Sequence, residues 1–310
     1  MKITRWNRKP ITKPGVYSGI PLDVYHSAEI CDGPSVSSSH LRRGWKSMAH
    51  FYDGWPGNAD HEPWKPTRPM VLGSAAHHLL LGEDDFKTQY IGRPETYRDR
   101  KTAEVKPWNN NATACKDWNE AQAKAGKTVV TQAELKSIIA MARSLALEPL
   151  VIDGGLRGDV ECSMMVKDKE TGLWLKARPD VIPTQGGDYV DLKTADEVTT
   201  VALQKSIRSY GYHMQGGLLW EVCEQLGLPF ETFLLMFVEK DRPHCVYPVP
   251  VSDDDLARGR LQCRSVLRKI AGCLVSGIWP GPFDGHLRPL GIALDERERI
   301  DNRLKQEGIG

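Results

Sequence analysis

Two acids and a lysine near the middle of the chain are spaced for metal-assisted chemistry. Asp180 follows the run Leu173-Trp174-Leu175-Lys176-Ala177-Arg178-Pro179, and Asp191 and Lys193 lie in Asp188-Tyr189-Val190-Asp191-Leu192-Lys193. Both runs alternate like strands, and alternation points residues two apart to one face. Asp191 and Lys193 therefore project together, and an antiparallel hairpin through Gly186-Gly187 would bring Asp180 beside them. Carboxylate oxygens suit Mg²⁺ or Mn²⁺ rather than zinc. The ammonium could orient or help deprotonate a water, or stabilise transition-state charge. Phosphodiester hydrolysis is the chemistry this trio fits. The plain alternative is a set of exposed strand-end charges, because P-D and D-x-K arise often by chance.

Other candidates each carry a bland reading of their own. Glu161 opens the strand before the hairpin, as a further metal ligand or as an exposed charge. His77 follows the helix start at Gly73-Ser74, where an imidazole could ligate Mn²⁺ or, more weakly, Mg²⁺, although a lone helical histidine is more often structural. His78 is its internal control and should point away. Tyr212 and Gln215, three apart, share a helix face, and Gln215 could hold a water or a phosphate oxygen. Arg260, Arg264 and Arg268 form an i, i+4, i+8 stripe that could meet DNA or simply be solvated.

These residues need a scaffold. The chain has 310 residues, 40% of them hydrophobic, enough for one large domain or two small ones with a real core. No apolar run approaches the roughly 20 residues of a membrane span. Met1-Lys2-Ile3-Thr4-Arg5-Trp6 lacks the apolar segment of a secretory signal, so a cytoplasmic protein is expected. The seven cysteines are scattered with no C-x-x-C, which argues for buried free thiols rather than a zinc ribbon or a disulfide framework. The net charge of +1 says nothing for or against nucleic acid, although residues 1–13 and 258–269 are basic stretches without acids.

The periodicity predicts an extended segment over 1–35 and a helix from Ser37-Ser38-Ser39 to Tyr52 with an apolar face of Leu41, Trp45, Met48 and Tyr52. A Pro/Trp-rich loop at 55–69, the His77 helix and a mobile polar loop at 92–113 follow. Helices are expected over about 114–125 and 131–147, then strands Val160 to Val166, Leu173 to Ile182 and Asp188 to Lys193. A helical region at about 199–226, strands Glu231 to Val238 and His244 to Val249, and a helix over 253–276 capped by Asp253-Asp254-Asp255 complete the body. A charged segment lies at 294–306. The order predicts one α/β domain with a central mixed sheet flanked by helices. Within it, 1–70 pack on a core of 71–276, and 277–310 form a tail.

Taken in order, the motifs resemble the RecB-like branch of the PD-(D/E)xK nuclease superfamily, and within it the RecE-like, exodeoxyribonuclease VIII type of phages and prophages. The resemblance runs through Pro14-Gly15-Val16-Tyr17-Ser18-Gly19-Ile20, Asp23-Val24-Tyr25-His26, Val36-Ser37-Ser38-Ser39-His40-Leu41, Gly73-Ser74-Ala75-Ala76-His77 with Asp85-Phe86, Arg178-Pro179-Asp180, Asp191-Leu192-Lys193-Thr194, Tyr212-His213-Met214-Gln215 and Trp279-Pro280-Gly281. It implies that His77, Asp180, Asp191 and the Leu192 carbonyl hold Mg²⁺, with Mn²⁺ as a substitute. It makes Lys193 the catalytic lysine, Glu161 an active-site acid and Gln215 a neighbour of the scissile phosphate. The family's tyrosine four residues after the glutamine is here Leu219, with Trp220 adjoining but facing elsewhere. No iron–sulfur cluster is expected, because the closely spaced C-terminal cysteines it needs are absent.

The implied activity is 5′→3′ digestion of linear duplex DNA, leaving a 3′ tail for a RecT-like annealing protein. The implied setting is a homo-oligomeric ring in the cytoplasm of a bacterial host. The helix start at Ser37 and Ser39 offers free amides and a positive dipole end, with Arg42, Arg43 and Tyr212 as further DNA or 5′-phosphate contacts. The alternatives are a structure-specific or single-strand nuclease of the same superfamily, and a catalytically inactive DNA-end-binding protein.

Overall fold

The computed structural model describes residues 2–62, 66–81, 86–283, 285–286, 289 and 291–309, so Asp85 lies outside the described residues. The chain opens with β1 (Ile3–Arg5), β2 (Gly15–Ser18), α1 (Leu22–His26) and β3 (Ser35–Ser37). The single helix expected to Tyr52 is two, α2 (Ser38–Lys46) and α3 (Met48–Asp53). Ser47 divides them: its backbone is extended and its hydroxyl accepts the His50 amide, capping α3. The break leaves Trp45 half exposed while Leu41, Met48 and Phe51 are buried.

α4 (Arg68–Leu80) carries Pro69 in its first turn, where a missing N–H costs nothing. α5 (Phe86–Gln89) and β4 (Tyr90–Gly92) follow. The polar stretch expected as a mobile loop holds a small antiparallel hairpin, β5 (Thr96–Arg98) with β6 (Val105–Pro107). Asp99 organises its turn by accepting the amides of Lys101 and Thr102. Next come α6 (Thr113–Lys124), β7 (Thr128–Val130) and α7 (Gln132–Ala146), the last begun by a Thr131/Glu134 capping box, then α8 (Pro149–Ile152).

The two strand runs expected at Val160 to Val166 and Leu173 to Ile182 each break once, at the same level. β8 (Gly158–Val160) and β9 (Ser163–Lys167) face β11 (Val181–Pro183) and β10 (Trp174–Ala177). Ala177 lies opposite Met164, and four residues further on Val181 lies opposite Val160, four residues back. One antiparallel register therefore runs through both halves, and the Glu161 amide still bonds the Asp180 carbonyl across the gap. The kink has two causes. Pro179 has no N–H for the ladder, and Glu161 has a left-handed backbone at φ 54°.

β12 (Asp188–Ala195) pairs in parallel with β13 (Thr232–Glu239), which pairs antiparallel with β14 (Val246–Pro250). The parallel step requires a crossover, supplied by α9 (Thr200–Tyr210) and α10 (Tyr212–Leu226). The expected ladder between β11 and β12 is not formed; the two strands belong to separate sheets, and the Asp180 side chain, rather than a backbone ladder, bridges to β12. α11 (Asp253–Ser276) is capped by the Ser252 hydroxyl rather than by the aspartates, which fill its first turn, and α12 (Leu294–Gln306) is exposed.

Alternation sorts β12 and β13 between two cores. Tyr189, Phe233, Leu235 and Phe237 join α2, α10 and α11, whereas Val190, Leu192, Met236 and Val238 pack with α4 and α7. A five-stranded sheet, β1-β2-β9-β10-β3, lies beside them, so the first 37 residues add three strands to the fold. Its outer face is covered by Ile11, Ile20, Tyr25 and Ile30 around Trp174. All seven cysteines are unpaired, six of them buried. Among the described residues no helix is long and apolar enough to cross a membrane.

Candidate active site

The kink in the β8–β11 hairpin and the neighbouring edge of β12 form one wall of a cleft of about 650 Å³. Asp180 reaches β12 through its side chain: Oδ2 accepts the Leu192 amide at 2.6 Å, on the edge that β13 leaves open. Asp191 and Lys193 project from the same face of β12 and form an ion pair, and the Lys193 ammonium lies 5.2 Å above the Tyr212 ring. Gln215 Nε2 donates to Asp191 Oδ1 at 2.8 Å. Tyr212 and Gln215 thus do share a face of α10, and it is the face turned to β12.

His77 arrives from the opposite side of the strand. Gly73 allows this, since a Cβ there would stand 3.1 Å from the Thr194 hydroxyl and keep α4 off β12. His77 Nδ1 lies 3.9 Å from Asp180 Oδ1, and the ring stands beside the Leu192 backbone. Burial and the Lys193 ammonium push the His77 pKa down to about 4. The ring is therefore neutral, and its contact with Asp180 is no ion pair. His78 turns aside toward the Tyr90 ring.

Electrostatics in the wall are tense. Burial, followed by the charge of Asp191, holds Asp180 well above the usual carboxylate range, although Lys193 and the Leu192 amide oppose this. Burial pulls Lys193 down, but Asp191 and Asp180 outweigh it and the net shift is upward. Lys193 is thus a held ammonium and cannot take a proton from water in this arrangement. Asp191 Oδ2 is buried, and the group that meets it is the Lys193 ammonium.

The Asp191 carboxylate, Asp180, the neutral His77 and the Leu192 carbonyl are a donor set of the type that hard divalent cations take. Among the described residues no three His, Cys, Asp or Glu side chains are gathered into one cage. The donors meet in pairs, with the Lys193 ammonium against Asp191.

Glu161 lies at the kink, half exposed, 3.7 Å from Arg178 Nε. The left-handed backbone of a glutamate costs about 1–3 kcal/mol, a strain that marks functional sites. Arg178 also donates to the Ile20 carbonyl and stacks 4.9 Å over the Tyr25 ring, binding the N-terminal segment to the cleft wall. Its place in Arg178-Pro179-Asp180 was the signal for this role.

Ser37, Ser38, Ser39 and Arg42 line the far end of the cleft. The Ser37 and Ser39 hydroxyls bond each other at 2.9 Å, and Arg42 is tied to the Ser38 and Tyr210 carbonyls. Arg43, a hundred degrees round the helix, does not join them and packs over Gly54 instead. Lys176 does join them. Fully buried, it bonds the Tyr25 carbonyl at 2.7 Å and stands in register with Ser37. Leu219 lines the cleft one turn beyond Gln215, while Trp220 stacks on Phe230 away from it. The Arg260, Arg264 and Arg268 stripe is spent internally on Glu221, Glu224, Asp168 and Glu170.

A family model described as a PDDEXK-like domain of unknown function (DUF3799) matches residues 37–284. No curated protein matches the chain. Among solved structures, a putative exonuclease from Eubacterium rectale superposes with a TM-score of 0.55 at 13% identity, covering 85% of this chain and 92% of its own. An alkaline exonuclease from Laribacter hongkongensis aligns at 12% identity and a TM-score of 0.28, over 54% of this chain and 86% of its own. A phage-related exonuclease from Haemophilus somnus 129PT aligns at 14% and 0.28, over 66% and 94%. Only the first similarity is close enough to bear on the fold, and it does so for the fold alone.

Proposed function

Because the chain belongs to the family described as a PDDEXK-like domain of unknown function (DUF3799), we propose that it is a divalent-metal-dependent exodeoxyribonuclease acting on the ends of linear duplex DNA. One observation carries the reading. His77 of α4, Asp180 of the hairpin kink, Asp191 of β12 and Gln215 of α10 meet on one cleft wall, with Lys193 of β12 paired to Asp191 behind it. An end-binding protein without catalysis has no use for that convergence.

A divalent cation, when bound, polarises the phosphate and acidifies a water. Asp180, Asp191, His77 and the Leu192 carbonyl are the groups that would hold it, and their oxygen-rich set suits Mg²⁺ or Mn²⁺. Lys193, held charged beside Asp191, would supply the counter-charge for phosphate oxygens in the transition state. Gln215 fixes the Asp191 carboxylate, and Glu161 with Arg178 sets the wall beside it.

At the far end, the α2 amides, Arg42 and the buried Lys176 receive the 5′-terminal phosphate. Digestion then runs 5′→3′ and leaves a 3′ tail for a RecT-like annealing partner. Subunits close into a ring around the DNA, inside a bacterial cell carrying the phage or prophage. These finer points follow from the resemblance of the motifs to RecE-like enzymes.

Linear duplex labelled at either end, incubated with Mg²⁺ or with EDTA, tests the reading. Loss of the 5′ label first, only with Mg²⁺, is expected, and Lys193→Ala or Asp191→Ala should abolish it. Activity surviving both substitutions, or cutting of closed circular duplex, would overturn it. Ser39→Ala should erase the preference for 5′-phosphorylated ends, and a one-chain mass in light scattering would exclude the ring.

A further inference from the structure

We propose that the groove between α7 and the turn joining β13 to β14 is a second nucleic-acid surface, one that grips phosphates outside the cleft. The groove is rimmed by Lys136 and Arg143 of α7 and by Lys240 and Arg242 of the turn. Its floor on α7 is made of small residues, Ala133, Ser137, Ala140 and Ser144. Such a floor admits a backbone closely, and the cations stand at its edges.

Exposed cations without an ion-pair partner are ordinary, and what distinguishes these is that three of them line one groove. Lys136, Arg143 and Arg242 are exposed, and among the described residues none of the three makes an ion pair. The arginine stripe of α11 shows the contrary case, every guanidinium there being matched to a carboxylate. Lys240 is held by Asp196 and does not count, and Asp241 is the one acid lining the groove. Three uncompensated cations against one carboxylate leave the groove positive.

The spacing also fits. Lys136 and Arg143 lie seven residues apart on one helix, about 10 Å along its axis. That equals about three nucleotides of rise along one DNA strand, so the two can reach separate phosphates. The groove is also tied to the catalytic strand. The Lys240 amide bonds the carbonyl of Ala195, the last residue of β12, two residues beyond Lys193. The groove thus stands at the end of the strand that carries Asp191 and Lys193. Ser137, whose hydroxyl bonds the Lys240 carbonyl, fixes the turn against α7 and keeps the rim in place.

The inference rests on the nuclease reading, and its test is kept separate from catalysis. The full chain is titrated against a fluorescein-labelled 30-base-pair duplex in EDTA, by anisotropy, over a series of NaCl concentrations. Each phosphate contact contributes about 0.9 to the slope of log K against log salt. The triple variant K136A/R143A/R242A should lose about 2.7 from that slope, and bind at least about tenfold more weakly at 0.1 M salt. K116A/K124A/K269A removes equal charge from exposed positions that do not line the groove, and should keep the wild-type slope.

A slope unchanged in the first variant, or lowered equally in both, would overturn the proposal. So would an unchanged slope with a smaller assembled mass, which would make the groove a contact for an acidic segment of a second copy. A wild-type chain that binds in this manner yet never digests DNA would sink the nuclease reading and leave the groove standing.

Discussion

Replacing Lys176 by Met should make the chain more tolerant of neutral pH and remove an unusual alkaline gain in stability. Lys176 is fully buried, bonds the Tyr25 carbonyl and lies over the Tyr25 ring, and no carboxylate accompanies it. Burial pulls its pKa from 10.5 to about 8, with only Cys31 acting the other way. The folded pKa lies below the unfolded one, so the folded chain resists the proton. Below pH 8 both states carry it, and the gap corresponds to about 3 kcal/mol against folding. As pH rises from 8 to 10.5 the folded state sheds its proton first, and the penalty falls to about 1 kcal/mol at pH 10. The wild-type chain should therefore gain roughly 2–3 kcal/mol on Lys176→Met between pH 7 and pH 10. Methionine leaves the Tyr25 carbonyl without its donor, at about 1–3 kcal/mol, so at pH 7 the variant should be no less stable than wild type. Urea unfolding followed by tryptophan fluorescence at both pH values measures the difference. Burial pushes Tyr25 and Cys31 above this pH range in the folded chain, so what titrates is their unfolded state, which the two chains share. A stability difference that stays constant from pH 7 to pH 10 would refute the reasoning.

Two further changes test packing and positioning. Gln215→Ala should slow DNA digestion by about 10–100-fold without moving the melting temperature, as expected when a group that orients a ligand is lost. Gln215→Glu, which sets a charge against Asp191, should be slower still. Gly44→Ala should cost about 1–2 kcal/mol in urea unfolding despite the better helix propensity of alanine, because its Cβ would stand 2.5 Å from Val266 Cγ1 of α11. Adding Val266→Ala should return part of that loss by making room. A stabilised Gly44→Ala chain would show that α2 and α11 are not in close contact.

Elements with a local signal were legible in the sequence. The 253–276 helix has the predicted bounds, since its apolar period runs unbroken from Leu256 to Ile270 and Ser252 opens it. β12 was legible because Asp191 and Lys193 sit at alternate positions, whereas the region expected as one helical stretch over 199–226 is two helices, divided by Gly211 at φ 64°. What escaped depended on distant partners. Lys176 alternates with Leu175 and Ala177 and so reads as solvent-facing, but a segment 150 residues earlier covers it. The break at Ser47 is invisible to an apolar period that continues through it. Pro179 and Glu161 are separately unremarkable, and only their alignment across the hairpin produces the kink. Arg42 and Arg43 are adjacent in sequence, and only the helix phase separates the one at the cleft from the one that packs on Gly54.

The bond from the Leu192 amide to Asp180 makes this backbone proton a built-in spectroscopic probe. At 2.6 Å from a carboxylate oxygen its resonance should lie far downfield, apart from the crowded amide region. Whatever draws Asp180 away from that proton will move the signal. Titrating Mg²⁺ into the labelled protein would then read cation capture in the resonance of a single amide, with no DNA present and no turnover required.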